Sequence, residues 1–562
     1  MLRLTELRLP LDHDEAALRR GIVARLAVPD TQLKSFTVFR RAWDARRKAA
    51  IQLIYTVDCE VEGEDGVLAR LSSERHVRPA PDMRYRQVAH APADYAAAQR
   101  LRPVVIGFGP CGIFAALVLA QMGFAPLVLE RGKAVRERTK DTWGLWRRGV
   151  LQPESNVQFG EGGAGTFSDG KLYSQISDPR HLTRKVLGEF VAAGAPEEIL
   201  TVAKPHIGTF RLVSMVEKLR ADIEALGGVI RFGAHVTDLH IEHGAVRGLT
   251  LHGGEQIAAD HVVLAVGHSA RDTFEMLHAR GVPMTPKPFS VGFRVEHPQS
   301  LIDRARFGPN AGHPILGAAD YKLVHHARNG RSVYSFCMCP GGTVVAATSE
   351  PLQVVTNGMS QYSRNERNAN AGIVVGIEPA DYRADRNTAG PVSPLDGMAF
   401  QRRLEQRAYQ LGGGGYVAPG QLVGDFVAGR HGSALAREFG RVQPSYTPGV
   451  ALTDLAEPGN ESLPPDLIEA IREAMPAFDR QIPGFNMTDA VFTGVETRTS
   501  SPLRIPRGTD YQCTNLRGLY PAGEGAGYAG GIMSAGVDGI EVAEAVGLSL
   551  VGAATPAKEN AA

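Results

Sequence analysis

Along residues 2–11 apolar and polar positions alternate with the period of a half-buried strand, and along 15–26 the spacing becomes helical. Residues 35–39 and 51–61 return to alternation, so 1–76 reads as a small N-terminal α/β domain. A proline-bearing connection covers 77–102. From 103 to 275 strand-like and helix-like stretches follow one another, the pattern of a sheet with helices packed on it. Between 276 and 499 short β-like segments dominate, among them 290–295, 332–338 and 343–348, which predicts an α+β domain inserted into the preceding one. Residues 500–552 return to the interrupted domain, and 553–562 form a polar tail expected to fray.

Composition narrows this picture. A chain of 562 residues is too long for one hydrophobic core, in agreement with several domains. Lysine plus arginine number 61 and aspartate plus glutamate 60, so no overall field draws the protein toward nucleic acid or an acidic surface. The exception is local: Arg40, Arg41, Arg46, Arg47 and Lys48 make the most basic run in the chain. It is read as a solvated turn, with docking of a nucleic acid or acidic partner as the alternative. The start shows no secretory pattern, and the most apolar stretch, 104–129, is broken by four glycines and two prolines. No membrane helix is expected. Five cysteines in so long a chain do not make a disulfide framework, and a reducing cytoplasm is the expected location.

The strongest chemical signal is Val104-Val-Ile-Gly-Phe-Gly-Pro-Cys-Gly112, an apolar strand running into a glycine turn, then an apolar helix, then a second strand ending at Glu130. Gly107 permits the tight turn, Gly109 lets backbone approach a pyrophosphate, and Gly112 lets helix pack closely on strand. Pro110 and Cys111 are placed against the cofactor with these glycines, and the helix that follows Gly112 through Met122 offers free N–H groups and a positive dipole end to phosphate. Glu130 lies 18 residues beyond Gly112, the distance at which an acid accepts hydrogen bonds from ribose hydroxyls, and Arg131 follows it. A dinucleotide site is therefore predicted.

Three further segments show which dinucleotide. Residues 227–236 end at Val236, residues 259–267 end in Ala265-Val-Gly267, and residues 519–531 contain Gly523-Glu524 and Gly530-Gly531. With the fingerprint, these four segments resemble, in order, the two-dinucleotide-binding-domain flavoprotein superfamily. The resemblance implies FAD in a Rossmann-like domain assembled from separated segments, with the adenine near Val236 and the ribityl chain and flavin near Glu524. Residues 159–171, 334–342, 357–360 and 494–501 are narrower still. They resemble the bacterial family known as uncharacterised FAD-dependent dehydrogenases, or NAD(P)/FAD-dependent oxidoreductases. Cys111 departs from it, since similar proteins usually carry alanine there; its small volume reads as simple tolerance.

Residues 159–171 include five glycines, so backbone can approach a ligand closely, and Gly162, Gly163, Gly165 and Thr166 are placed against the cofactor. Glu496 and Arg498 precede the return to the first domain and are the candidate catalytic pair. An arginine there would orient an anionic substrate or stabilise reduced flavin, and a glutamate would move a proton; a mutual ion pair at a domain seam is the alternative. Asp169 and Lys171 carry the same ambiguity, and His206 reads as a satisfied loop histidine. Cys337 and Cys339 alternate on one strand, which places both thiols on one face. They read as small residues lining a pocket, with a redox pair as the alternative, and two ligands fall short of a zinc site. The leading function is hydride transfer between FAD and a small organic substrate. A flavin-dependent nucleic-acid modifying enzyme and a non-catalytic redox sensor are the other readings. No second glycine fingerprint is complete, so NAD(P)H enters only as a transient electron donor.

Overall fold

The computed structural model describes residues 1–95, 100–383 and 390–555, so 96–99 of the predicted connection and 556–562 of the predicted tail lie outside the described residues. Five parallel strands form the central sheet, in the order Leu519–Pro521, Val262–Leu264, Val104–Ile106, Leu127–Glu130 and Val229–Phe232. From Val104–Ile106 the chain first moves one way across the sheet and later returns to fill the other side. The end of that strand is therefore a topological switch point, where open α/β sheets hold their ligands.

The helix Pro110–Gln121 is buried almost all round because Ile532–Leu550 lies directly against it. Glycine makes this contact close: a Cβ at Gly539 would sit 2.3 Å from the Cys111 carbonyl oxygen, and one at Gly536 3.0 Å from the Phe114 ring. Between Val229–Phe232 and Val262–Leu264 runs an antiparallel three-stranded meander covering 236–258.

The second large sheet has seven strands, with Phe289–Pro298 paired on one side to Asn368–Ile377 and on the other to Val491–Glu496. Every residue of Phe289–His297 is buried, because helices Gln299–Phe307 and Pro465–Asp479 and neighbouring loops cover the sheet. Chain crossing into and out of this region runs side by side, as strands Thr285–Pro286 and Leu503–Arg504 pair antiparallel. The protein is thus an α/β fold of two principal sheets with a small α/β unit at the N-terminus.

That unit is a four-stranded antiparallel sheet carrying the helix Ala17–Leu26. One expectation is corrected here. Instead of ending at Phe39, the second strand continues through Leu33–Asp44, so Arg40 and Arg41 belong to a strand and not to a turn. Trp43 packs edge-on against Phe307, and Arg41 bridges backbone to backbone with Val202, which keeps the segment extended. Arg46 pairs with Asp44, whereas Arg40, Arg47 and Lys48 are exposed.

Candidate functional site

A cavity of about 410 Å³ opens at the switch point, within the usual range for ligand sites. Gly107 turns with φ 97°, and a Cβ there would lie 2.4 Å from the Ala265 carbonyl oxygen. At Gly112 an added Cβ would lie 1.9 Å from the Gly107 carbonyl oxygen, so this glycine serves packing and lies outside the cavity lining. Gly109 is different: its Cβ would meet only Gly163, at 3.5 Å, and would project into the cavity. Pro110 and Cys111, the first residues of the helix, line the cavity, and no side chain caps that helix. Its unpaired N–H groups and dipole make a place for phosphate oxygens.

Glu130 organises this end. Its carboxylate accepts N–H bonds from Phe108 (2.8 Å), Gly132 (2.8 Å) and Gly160 (2.9 Å), tying the fingerprint to the glycine loop. Three of roughly four acceptor positions are therefore taken by backbone, and Glu130 still lines the cavity. Arg131 also lines the cavity, bonded to Glu154 (2.8 Å) and Asp272 (2.9 Å) and lying 4.1 Å over the Phe159 ring. Ala234, His235 and Val236 close the same end.

Within the glycine loop, Gly163 and Gly165 line the cavity, but Gly162 and Thr166 do not. A Cβ at Gly162 would meet the Thr166 hydroxyl at 2.1 Å, and Thr166 is buried beside Arg138, so both support the loop from behind. Arg138 holds that loop by donating to the carbonyls of Asn156, Val157 and Glu161. On the opposite flank Gly267, Gly530 and Gly531 line open space, since an added Cβ at any of them meets nothing within 4 Å. Gly531 begins Ile532–Leu550, a second helix whose uncapped N-terminus opens on the cavity. Glycine cradles and two helix N-termini on one cavity suit phosphate oxygens.

The second sheet supplies the remaining wall. Glu496 and Arg498 line it, but they do not pair with each other. Both Glu496 oxygens accept from Arg294 at 2.9 Å, and one also accepts from Thr356, so the acid is held as an ion-pair partner. Arg498 donates to Glu405 (2.8 and 3.1 Å), Ser349 (2.7 Å) and Ser269 (3.2 Å). Burial lowers its pKa, partly offset by Glu405. Asp169 is held by Arg364 and by Lys171 at 2.9 Å, and the Lys171 ammonium also donates to the Met338 carbonyl. His206 lies outside the cavity lining and bonds the Tyr362 carbonyl at 2.9 Å.

Two cavity residues are more chemically suggestive than the sequence indicates. Burial pushes the Glu524 carboxyl up to about 7, although an N–H from Gly531 opposes this. His268 stands 4.0 Å from it, pushed down to about 3 first by burial and then by Arg498 and Arg271. At neutral pH the imidazole is uncharged and the carboxyl is poised to gain or lose a proton. His268 directly follows the Ala-x-Gly motif, so its place beside the ligand was open to inference; its encounter with Glu524 needed the fold.

Cys337 lines the cavity, whereas Cys339 is buried and outside the lining. The expected alternation fails because the strand bulges between Phe336 and Cys339 and Cys337 adopts φ 41°. Both thiols are free. Cys111 is buried against Gly523, where a Cβ would lie 2.9 Å from the Cys111 Cβ, and burial holds its thiol well above the usual range.

Fold and cavity define an α/β protein with a parallel sheet and a glycine-lined cavity at its switch point. Residues 288–499 match the family described as FAD-dependent protein, C-terminal domain-like, and residues 1–60 match a domain of unknown function. An uncharacterised protein of Clostridium beijerinckii is 43% identical over 97% of this chain and 98% of its own length. The chain belongs to the same family as that protein. Among solved structures, L-proline dehydrogenase from P. horikoshii is 14% identical with a TM-score of 0.32, covering 81% of this chain and 95% of that one. Glycine oxidase from Geobacillus kaustophilus is 11% identical with a TM-score of 0.34, covering 81% and 96%. Neither likeness is near enough to carry a reaction across. Among the described residues no helix is long and apolar enough to cross a membrane.

Proposed function

We propose that the chain is an FAD-dependent oxidoreductase that moves hydride between the flavin and a small organic substrate, with NAD(P)H as a transient electron donor. The observation that carries this reading is the single cavity joining the fingerprint to a wall of fixed charges and one titrating acid. Gly109, Pro110 and Cys111 would hold the pyrophosphate, Glu130, Arg131 and Val236 the adenosine end, and Ala265, Gly267, Gly523, Glu524, Gly530 and Gly531 the ribityl and ring end. Bound FAD supplies hydride chemistry that no side chain can perform.

The protein's own part is electrostatic and geometric. Arg498, fixed by Glu405 and two serines, sets positive charge on the wall before any substrate arrives, so charge developing there costs little reorganisation. Glu496 keeps Arg294 in place, and Glu524 takes the proton-moving role first expected of Glu496. A carboxyl near 7 is matched to proton transfer at neutral pH. Anaerobic addition of a metabolite library, and of NADH and NADPH, to the purified holoprotein tests the reading. A compound that bleaches the flavin absorbance supports it, and a flavin that responds to none of these contradicts it.

A further inference from the structure

Strand Ser332–Cys339 ends against the cavity in an arrangement that the hydride reading leaves unused. At its last residues the ladder to Asn368–Ile377 slips, and the left-handed turn at Cys337 redirects the thiols. Cys337 faces the cavity; Cys339, fully buried, donates its S–H to the Cys337 carbonyl at 3.3 Å. Around them stand the Lys171 ammonium, which bonds the carbonyl of the intervening Met338, and the Arg294 guanidinium, 3.0 Å from the Cys337 carbonyl. Asp169, bound to Lys171, Glu496, bound to Arg294, and Glu524 across the cavity are the acidic groups nearby.

We propose that Cys337 and Cys339 form a redox-active dithiol that exchanges an electron pair with the FAD in this cavity. The proposal rests on the reading of the cavity as an FAD site. In the oxidising direction the Cys337 thiolate and the Cys339 thiol join in an S–S bond. Their electron pair and the Cys339 proton pass to FAD, which becomes its anionic two-electron-reduced form, so charge and hydrogen balance. The reverse step opens the disulfide. Cationic neighbours are what stabilise a thiolate, and Lys171 and Arg294 both stand beside Cys337. Contact with Cys339 lowers the Cys337 thiol well below its usual range, against burial, with Lys171 and Arg294 adding to the effect and Asp169 opposing it. Cys339 is raised well above its usual range. A cavity-lining thiol inclined to ionise and a protonated thiol two residues away are the starting point for attack by one and resolution by the other. The remaining cysteines, Cys59, Cys111 and Cys513, are buried.

The test equilibrates holoprotein anaerobically with dithiothreitol at graded ratios of its reduced and oxidised forms. Flavin absorbance and disulfide content, mapped by alkylation and mass spectrometry, are read from each sample. A Cys337–Cys339 disulfide that opens as the flavin bleaches is expected. At equal FAD content, Cys337→Ser and Cys339→Ser should slow bleaching by dithiothreitol roughly tenfold or more. With Cys339→Ser in place, Cys337 alone should be the thiol most rapidly alkylated below neutral pH. All five thiols remaining free at every ratio, or unchanged bleaching in both variants, would overturn the proposal. Cofactor content, read from the spectrum before reductant is added, tests the cavity reading separately. Disulfide mapping decides on the dithiol whatever that content is.

Discussion

Gly109 and Gly112 stand three residues apart in one motif, yet substitution should fail in different ways. An added side chain at Gly109 enters the cavity, whereas at Gly112 it strikes the Gly107 carbonyl. Gly109→Val is therefore expected to fold and lose FAD, measured as flavin retained after purification. Full FAD occupancy in that variant would show that the loop is not where the phosphates bind. A second residue prediction concerns Glu524, whose folded pKa, near 7, exceeds the ordinary carboxyl value of 4.5. The folded state binds this proton more tightly than the unfolded state does. Its contribution is fully present below about pH 4.5 and is lost as pH rises through about 7. In protein stripped of FAD, Glu524→Gln should raise the Tm relative to wild type more at pH 8 than at pH 5. An equal difference at both pH values would mean that the acid is not held protonated by its surroundings. At Arg498, removal leaves buried Glu405 with Arg271 and the Thr497 hydroxyl, so Arg498→Ala should cost about 1–3 kcal/mol in denaturant unfolding. It should also slow flavin reduction about a hundredfold, roughly 2.7 kcal/mol in the barrier. Arg498→Lys should recover part of each, because an ammonium cannot reproduce the guanidinium fork. Wild-type reduction kinetics in a destabilised Arg498→Ala protein would confine the residue to a structural role.

At the scale of elements, what was legible depended on how local the cause was. The strand, turn and helix of 104–121 follow from neighbouring residues: apolar Val104–Ile106, glycine at the turn, Pro110 at the first helical position. The strand Leu33–Asp44 outran its expected end because Trp43 finds Phe307 and Arg41 finds Val202, partners that no local pattern reveals. In the same way Cys337 and Cys339 were placed on one face by simple alternation, and a bulge undid it. Helix pairing offers its own test. Gly539 lies where Ile532–Leu550 meets the fingerprint helix, and a Cβ would come within 2.3 Å of the Cys111 carbonyl. Gly539→Ala is expected to destabilise the protein by about 1–3 kcal/mol, the cost of overpacking, despite alanine's better helix propensity. Unchanged or increased stability on denaturant unfolding would show that the two helices do not meet so closely.

For the molecule as a whole, the FAD domain was readable because its segments each carry part of one recurring geometry. The facing wall was less so. Arg294, Glu405, His268 and Glu524 come from four distant stretches and acquire meaning only when two sheets close on each other. Their charges are fixed mainly by contacts within the protein, which is why the wall resembles a prepared site more than a surface left over from folding. On the proposed reading FAD is what the whole function depends on, and the cavity beside the fingerprint would hold it. The most direct measurement is therefore the identity of the chromophore released when the purified protein is heated. A yellow protein that releases FAD and not FMN is expected, because the proposed site holds a pyrophosphate and an adenosine. A colourless protein that cannot be reconstituted with FAD, or one that releases FMN, would contradict it.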